Sequence, residues 1–337
     1  MAEKKPGLIP EAFQLDGSFR PTLREYTAGI TLCGRAKLWE DALLLIDEMT
    51  RTQVRSDTVS YNAIISACEK GSQWQQALKL LEGMPVENVR SDVISYNAAI
   101  SACEKGGQWE LALTLFEEMP RARIRLDLIS YSAAISACEK GGEWQRALFL
   151  FKAMPAAKVR PQVISYNAAI SACEKGGAWQ WALALFNEMG RARDSPNIIS
   201  YSATISAYEK GGQWQLALVL LETMPAARVG LDVISCNAAM SACGKVGTWP
   251  QCLNLFDKMP NTKLRSDVIS YQAVLSACEQ VGQWELAQRF IEGMPQARMS
   301  LDGISYKVSE RGAGQASASR SGVESGAGIY FTDTLRT

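Results

Sequence analysis

Ile94, Asn97, Ser101 and Lys105 stand three, four and four residues apart. On a helix that spacing puts an aliphatic group, an amide, a hydroxyl and an ammonium in one row. Such a set suits recognition better than bond-making. Amides and hydroxyls both donate and accept hydrogen bonds, and an ammonium meets anions.

The row recurs along the chain with small changes. The position of Asn97 reads Thr27, Asn62, Asn97, Ser132, Asn167, Ser202, Asn237 and Gln272, all uncharged and hydrogen-bonding. Thirty residues further on stand Asp57, Asp92, Asp127, Gln162, Asn197, Asp232, Asp267 and Asp302, all able to accept hydrogen bonds. Local roles compete with a recognition role. Asp and Asn are favoured helix N-caps, although Gln162 suits that role poorly and serines such as Ser95 can cap instead. The first set reads equally as a solvated face, and lysines such as Lys105 complement a helix C-terminus.

Catalytic chemistry is hard to build from this inventory. The chain has no His, so neither a Ser-His or Cys-His nucleophile nor a His base is available. The carboxylates are spread over repeated surface positions, and there is no phosphate-binding glycine loop of the P-loop or GxGxxG kind. We therefore expect no enzymatic activity, no cofactor and no metal.

The elements that carry the row follow from a repeat. SYNAAISACEKGG occurs at Ser95–Gly107 and again at Ser165–Gly177. Trp39, Trp74, Trp109, Trp144, Trp179, Trp214, Trp249 and Trp284 are each 35 residues apart, as are Met49, Met84 and their successors to Met294. Eight units run without insertion from Leu23 to Asp302, and a partial ninth begins at Gly303. A period of this length marks a solenoid in which each unit packs only on its neighbours.

In the third unit, Val93, Tyr96, Ala99, Ile100 and Cys103 form one apolar stripe, and Gly106 and Gly107 stop that helix. A second stripe, Trp109, Ala112, Leu113, Phe116 and Met119, leads to Pro120, which is expected to end the second helix. Each unit is thus read as a helical hairpin with a short basic connection, and stacking buries faces that neither helix could bury alone. A fully buried Trp would contribute at most about 4–6 kcal/mol per unit. The Trp ladder is accordingly read as structural.

Net charge is zero over 337 residues, which disfavours strong non-specific nucleic-acid binding. No apolar run reaches membrane-spanning length, so no membrane partner is expected. Seven of the nine cysteines sit at equivalent positions of successive units. Packed helices lie about 8–10 Å apart, beyond disulfide reach, so these are read as small buried thiols in a reducing compartment.

The 35-residue unit, its opening (V/I)-I-S-Y-N, its ending A-L-x-L-F-x-x-M and the closing Asp resemble the pentatricopeptide repeat family, in its uninterrupted 35-residue form, from Leu23 to Asp302. The resemblance implies an all-α, right-handed superhelix of eight hairpins that binds single-stranded RNA at one base per repeat. It implies that base edges are read by Thr27 with Asp57, Asn62 with Asp92, Asn97 with Asp127, Ser132 with Gln162, Asn167 with Asn197, Ser202 with Asp232, Asn237 with Asp267, and Gln272 with Asp302. Val59, Ile94, Ile129, Ile164, Ile199, Ile234 and Ile269 match residues that sandwich bases. Lys70, Lys105, Lys140, Lys175, Lys210 and Lys245 match phosphate contacts.

By the family's preferences the implied target is G-U-U-N-C-G-U-N. Ser132 with Gln162 and Gln272 with Asp302 are not standard pairs, so two bases are unassigned. Arg24 stands at the first aliphatic position, and Arg35 and Gln280 replace the lysine at the two ends.

The family is found mostly in mitochondria and plastids. Met1–Pro21, with Glu3, Glu11 and Asp16, does not read as a transit peptide. Residues Glu310–Thr337 are rich in Gly, Ser and Ala and read as disordered. RNA processing, stability or translation is the expected setting, with partner proteins supplying any chemistry. The alternative reading is a scaffold that holds a peptide in the same groove.

Overall fold

A computed structural model describes residues 21–290 except 193, 263 and 284. Asp302, the N-terminal extension to residue 20, the partial ninth unit and the Gly/Ser-rich tail lie outside the described residues. The secondary structure among the described residues is helical. In chain order the hairpins are α1 (Leu23–Arg35) with α2 (Trp39–Arg51), α3 (Thr58–Lys70) with α4 (Trp74–Gly83), α5 (Val93–Lys105) with α6 (Trp109–Arg121), α7 (Leu128–Gly141) with α8 (Trp144–Ala153), and α9 (Val163–Lys175) with α10 (Trp179–Arg191). They continue as α11 (Ile198–Lys210) with α12 (Trp214–Ala226), α13 (Val233–Val246) with α14 (Trp249–Asn261), and α15 (Val268–Val281), after which residues 285–290 are helical.

The chain divides into two compact bodies between Ser195 and Pro196. In the first, α1, α3, α5, α7 and α9 stack in order, each against its own second helix and that of the preceding hairpin. In the second, α11, α13 and α15 do the same with α12 and α14. Each body is the all-α solenoid of stacked hairpins that the repeat predicts.

The core follows the stripes. Ala99, Ile100, Cys103, Ala112 and Met119 are buried, as are their counterparts among the described residues of other units. Aromatic rings clip neighbouring hairpins together. Phe116 meets Tyr131 at 5.0 Å between centroids and Phe151 meets Tyr166 at 4.8 Å. All nine cysteines are buried free thiols. Burial raises Cys68, Cys103 and Cys138 to about 11 and Cys173 to about 12, so they pack as small neutral side chains.

The Trp ladder is only half-buried at Trp74, Trp109 and Trp144, so its contribution falls below the full-burial figure. Its edge is what matters. A Cβ placed on Gly106 would lie 2.3 Å from Trp74 Cδ1, and one on Gly176 2.2 Å from Trp144 Cδ1. The glycine after each of these first helices therefore also admits the indole of the preceding hairpin.

The helix stops divide into one expected and one corrected. Gly107 turns left-handed at φ 71°, and Gln108 N–H donates to Cys103 O at 2.9 Å, a C-terminal glycine closure. Proline meets the expected helix end only where α4 and α8 stop at Gly83 and Ala153, shortly before Pro85 and Pro155. Pro120, Pro225 and Pro260 lie inside α6, α12 and α14. In a last turn proline loses a single backbone bond, and its fixed φ is already helical. The chain leaves the helix a few residues later, through Arg123 or Arg228 at φ 59°, and Gln53, Asn88 and Lys158 do the same at φ 56–61°. Ile124 N–H closes the turn on Met119 O at 2.8 Å.

Candidate functional site

The first helices carry the recognition row on one side, and the structure splits it into two depths. Val59, Ile94, Ile129, Ile164, Ile199, Ile234 and Ile269 are 55–66% exposed, although each is aliphatic and sits next to buried positions. Arg24, at the first such position, is also exposed. Three residues on, Asn62, Asn97, Ser132 and Asn237 are only 6–9% exposed. Thr27, Asn167, Ser202 and Gln272 are half-buried. The solvated-face reading of these positions is therefore wrong for the first four.

For the three asparagines that burial is satisfied by the second set. Asn62 Nδ2 donates to Asp92 Oδ1 at 3.1 Å, Asn97 Nδ2 to Asp127 Oδ1 at 3.2 Å, and Asn237 Nδ2 to Asp267 Oδ1 at 2.9 Å. The same carboxylates cap the following helices. Asp127 Oδ1 accepts Ser130 N–H at 2.8 Å, Asp267 Oδ1 accepts Ser270 N–H at 2.9 Å, and Asp92 Oδ1 accepts both Ile94 N–H and Ser95 N–H at 3.0 Å. Capping and pairing are thus two uses of one oxygen. In the described residues the side-chain hydrogen bonds of Asp92, Asp127 and Asp267 all run through Oδ1 and none through Oδ2. For Asp267, burial alone would raise the carboxyl, but hydrogen bonds from the Ser270 N–H and the Asn237 amide outweigh it and hold the group below its usual range.

Units with a hydroxyl in place of Asn are wired differently. Thr27 Oγ1 donates to Leu23 O at 2.8 Å and Ser202 Oγ to Ile198 O at 2.6 Å. They reach Asp57 and Asp232 only through an intervening serine. Thr27 Oγ1 lies 3.2 Å from Ser60 Oγ, and Ser60 Oγ donates to Asp57 Oδ1 at 2.6 Å. Ser202 Oγ lies 3.1 Å from Ser235 Oγ, which bonds Asp232.

The fourth unit is the odd one. Ser132 Oγ is buried without a partner, and Gln162 stands at the N-cap of α9 where Asp127 stands for α7. Asn167 lies in the first body and Asn197 in the second, where Asn197 Oδ1 caps α11 by accepting Ser200 N–H at 3.1 Å. Gln272 lies on α15, and its counterpart Asp302 is outside the described residues.

The six lysines end the first helices and are exposed. Four are held by the glutamate of the preceding unit: Lys105 by Glu69 at 2.8 Å, Lys140 by Glu104 at 3.0 Å, Lys175 by Glu139 at 2.9 Å and Lys245 by Glu209 at 2.7 Å. Lys70 makes no ion pair among the described residues, because Gly34 stands where the next five units have Glu. Lys210 ends α11.

Sequence reading took the serines that open the first helices as caps alone. Ser60, Ser95, Ser130, Ser165, Ser200, Ser235 and Ser270 are fully buried. The signal for a larger role was their constancy, since the third helix position is Ser in every unit but the first, which has Glu25.

With this geometry in view, comparison with known proteins gives one consistent answer. A PPR repeat family model matches residues 56–103, 91–140 and 161–210. A pentatricopeptide repeat domain model matches residues 16–71 and 254–306, and a PPR repeat model matches residues 129–159, 199–229 and 234–261. No curated protein sequence matches the chain.

Among solved structures, the pentatricopeptide repeat protein PPR10 from maize is similar, with a TM-score of 0.57 and 20% identity over 85% of this chain and 46% of that one. PPR10 in complex with an 18-nt psaJ RNA element matches at a TM-score of 0.44 and 20% identity over 95% and 56%. The PPR domain of Arabidopsis thaliana protein-only RNase P 1 in complex with tRNA matches at 0.43 and 17% identity over 49% and 87%. The chain spans about half the length of the maize protein, and at this identity the likeness is one of fold.

Proposed function

Because this chain belongs to the pentatricopeptide repeat family, we propose that it binds single-stranded RNA sequence-selectively, one base to each hairpin. It acts in RNA processing, stability or translation, and partner proteins supply any chemistry on the RNA. The observation that carries this reading is the half-used pair in the second, third and seventh units. Asn Nδ2 has two hydrogens and gives one to Asp Oδ1, so one N–H and the Oδ2 carboxylate oxygen are left for a ligand. An exposed aliphatic side chain stands beside each pair.

A donor next to an acceptor matches uracil, whose ring N–H lies beside a carbonyl. The hydroxyl units match a different base. Thr27 and Ser202 have spent their hydrogen on a carbonyl, so they offer lone pairs next to Asp57 and Asp232. Two acceptors side by side match the N–H groups of guanine. Asn167 with Asn197 is assigned cytidine on the family preference alone. The exposed aliphatic groups cover base faces without regard to sequence, and the lysine row faces phosphates.

The test is a titration of the purified chain against G-U-U-A-C-G-U-A RNA flanked by adenosines, beside a scrambled RNA and the DNA equivalent. The designed RNA should bind at least about tenfold more tightly than either control, a difference of about 1.4 kcal/mol. Equal binding to all three, or none, would withdraw the reading and turn attention to peptide ligands of the same groove.

A further inference from the structure

Ser95, Ser130 and Ser270 are 0% exposed, and each hydroxyl sits between the two members of a reading pair. Ser95 Oγ is 2.6 Å from Asn62 Oδ1 and 3.1 Å from Asp92 Oδ1. Ser130 Oγ is 2.7 Å from Asn97 Oδ1 and 2.8 Å from Asp127 Oδ1, and Ser270 Oγ is 2.7 Å from Asn237 Oδ1 and 2.9 Å from Asp267 Oδ1. Each hydroxyl also accepts the backbone N–H of the same Asp, at 3.1, 3.3 and 3.1 Å. A hydroxyl has one hydrogen, and the shorter contact takes it to the amide oxygen. The amide is thereby held at both ends, oxygen on the serine and nitrogen on the aspartate, with one N–H free.

The same serine is set the other way in hydroxyl units. There the reader has already spent its hydrogen on a helix carbonyl, and Ser60 and Ser235 bond Asp57 and Asp232. One residue type therefore accompanies a donor-plus-acceptor face in some units and an all-acceptor face in others.

We propose that this serine, the third residue of each first helix, is a specificity-determining positioning residue for the base read by the unit before it. It touches no base. It fixes which hydrogens and lone pairs the reading pair presents, so the identity of a base depends on two residues of one hairpin and one of the next. The inference rests on the RNA reading above.

The fold contains its own control. Ser165 has the same helix position and the same burial, but its hydroxyl accepts Gln162 N–H at 3.0 Å and donates to Gln162 O at 2.9 Å. The reader of that unit, Ser132, is left without a partner.

The experiment measures binding of wild type, Ser95→Ala and Ser165→Ala to RNAs with U or C at the base assigned to Asn62 and Asp92. Wild type should favour U by about tenfold. Ser95→Ala should reduce that to under about threefold while the preference at the next base, read by Asn97 and Asp127, is kept. Ser165→Ala should leave every assigned preference intact. A merely structural serine would make the two variants behave alike.

If wild type selects U and Ser95→Ala selects it equally, this inference alone falls. If wild type shows no preference, the RNA reading falls with it. A measurement on the intact chain guards against a variant that does not fold. The side-chain amide of Asn62 should exchange its hydrogens at least about tenfold more slowly than that of exposed Asn88, and equal rates would overturn the proposal.

Discussion

Two successive junctions of the first body share a backbone and differ in wiring. Where α5 meets α7, Asn97, Asp127 and Ser130 form a closed network in which every buried polar side chain has a partner. Where α7 meets α9, Ser132 has none, and Ser165 bonds only the main chain of Gln162. Yet α9 still starts on time, still buries Ile170 and Cys173, and still stacks on α7. The lesson is that the serine and the apolar stripe suffice to place the helix, while the reading pair is a separable layer above them. Bases can then be reassigned without refolding the array.

The largest effect expected from that comparison is a transplant. Ser132→Asn with Gln162→Asp should close the fourth junction as the third is closed, giving the fourth base a U preference of about tenfold or more. Titration with RNAs that differ only at that base reads the result. If no preference appears, the surroundings of the pair matter as much as the pair.

A smaller effect separates capping from reading. Gln162→Asp alone puts a favoured N-cap residue at the head of α9, and should stabilise the chain by about 1 kcal/mol. Beside the new carboxylate Ser132 repeats the make-up of Ser202 with Asp232, so any base preference gained should be for guanine and not for uracil. Urea unfolding of the variant beside wild type measures the first, and the RNA titration the second. A uracil preference without Asn at 132 would mean that the carboxylate reads by itself.

What was legible in the sequence divides along the same line. The hairpins, their stripes and the glycine stops follow from local periodicity, because each is decided within a few residues. The ending of α6 and α12 was misread because the left-handed turn falls on Arg123 and Arg228, whose types do not announce it. Contacts across one repeat were the least visible. The Trp74 edge against Gly106, the Lys105 pair with Glu69 and the Ser95 bond to Asn62 each join residues about a unit apart, and none exists until two hairpins are stacked. The reading positions were found through family resemblance, but their burial and the serine behind them were not, because a serine at a helix start already has a sufficient local explanation.

Acid should weaken the closed junction that Asp267 completes. Asp267 is held below the usual carboxylate range in the folded chain. A group whose folded pKa is depressed contributes stability that is complete above its unfolded value and is lost as pH falls through the folded one. Urea midpoints should therefore drop as pH is taken below about 4, and Asp267→Asn should reduce that drop. An acid dependence unchanged in this variant would assign it to other carboxylates.

The smallest effect concerns the lysine row, where Lys70 and Lys105 make the comparison. They occupy the same place in successive units, yet Lys105 is held by Glu69 at 2.8 Å and Lys70 faces no carboxylate among the described residues. Exposed pairs of this kind are worth about 0–1 kcal/mol, so Glu69→Gln should hardly change stability. It should, however, release Lys105 for a phosphate. For single strands each phosphate neutralised adds about 0.7 to the steepness of log affinity against log salt. The variant should therefore bind RNA more tightly at low salt, with a slope steeper by up to that amount, and Lys70→Gln should make the slope shallower by a like amount. If neither substitution moves the slope, the backbone of the RNA does not run along the lysines, and exposed arginines such as Arg90 and Arg125 near the reading pairs become the groups to test for phosphate contact.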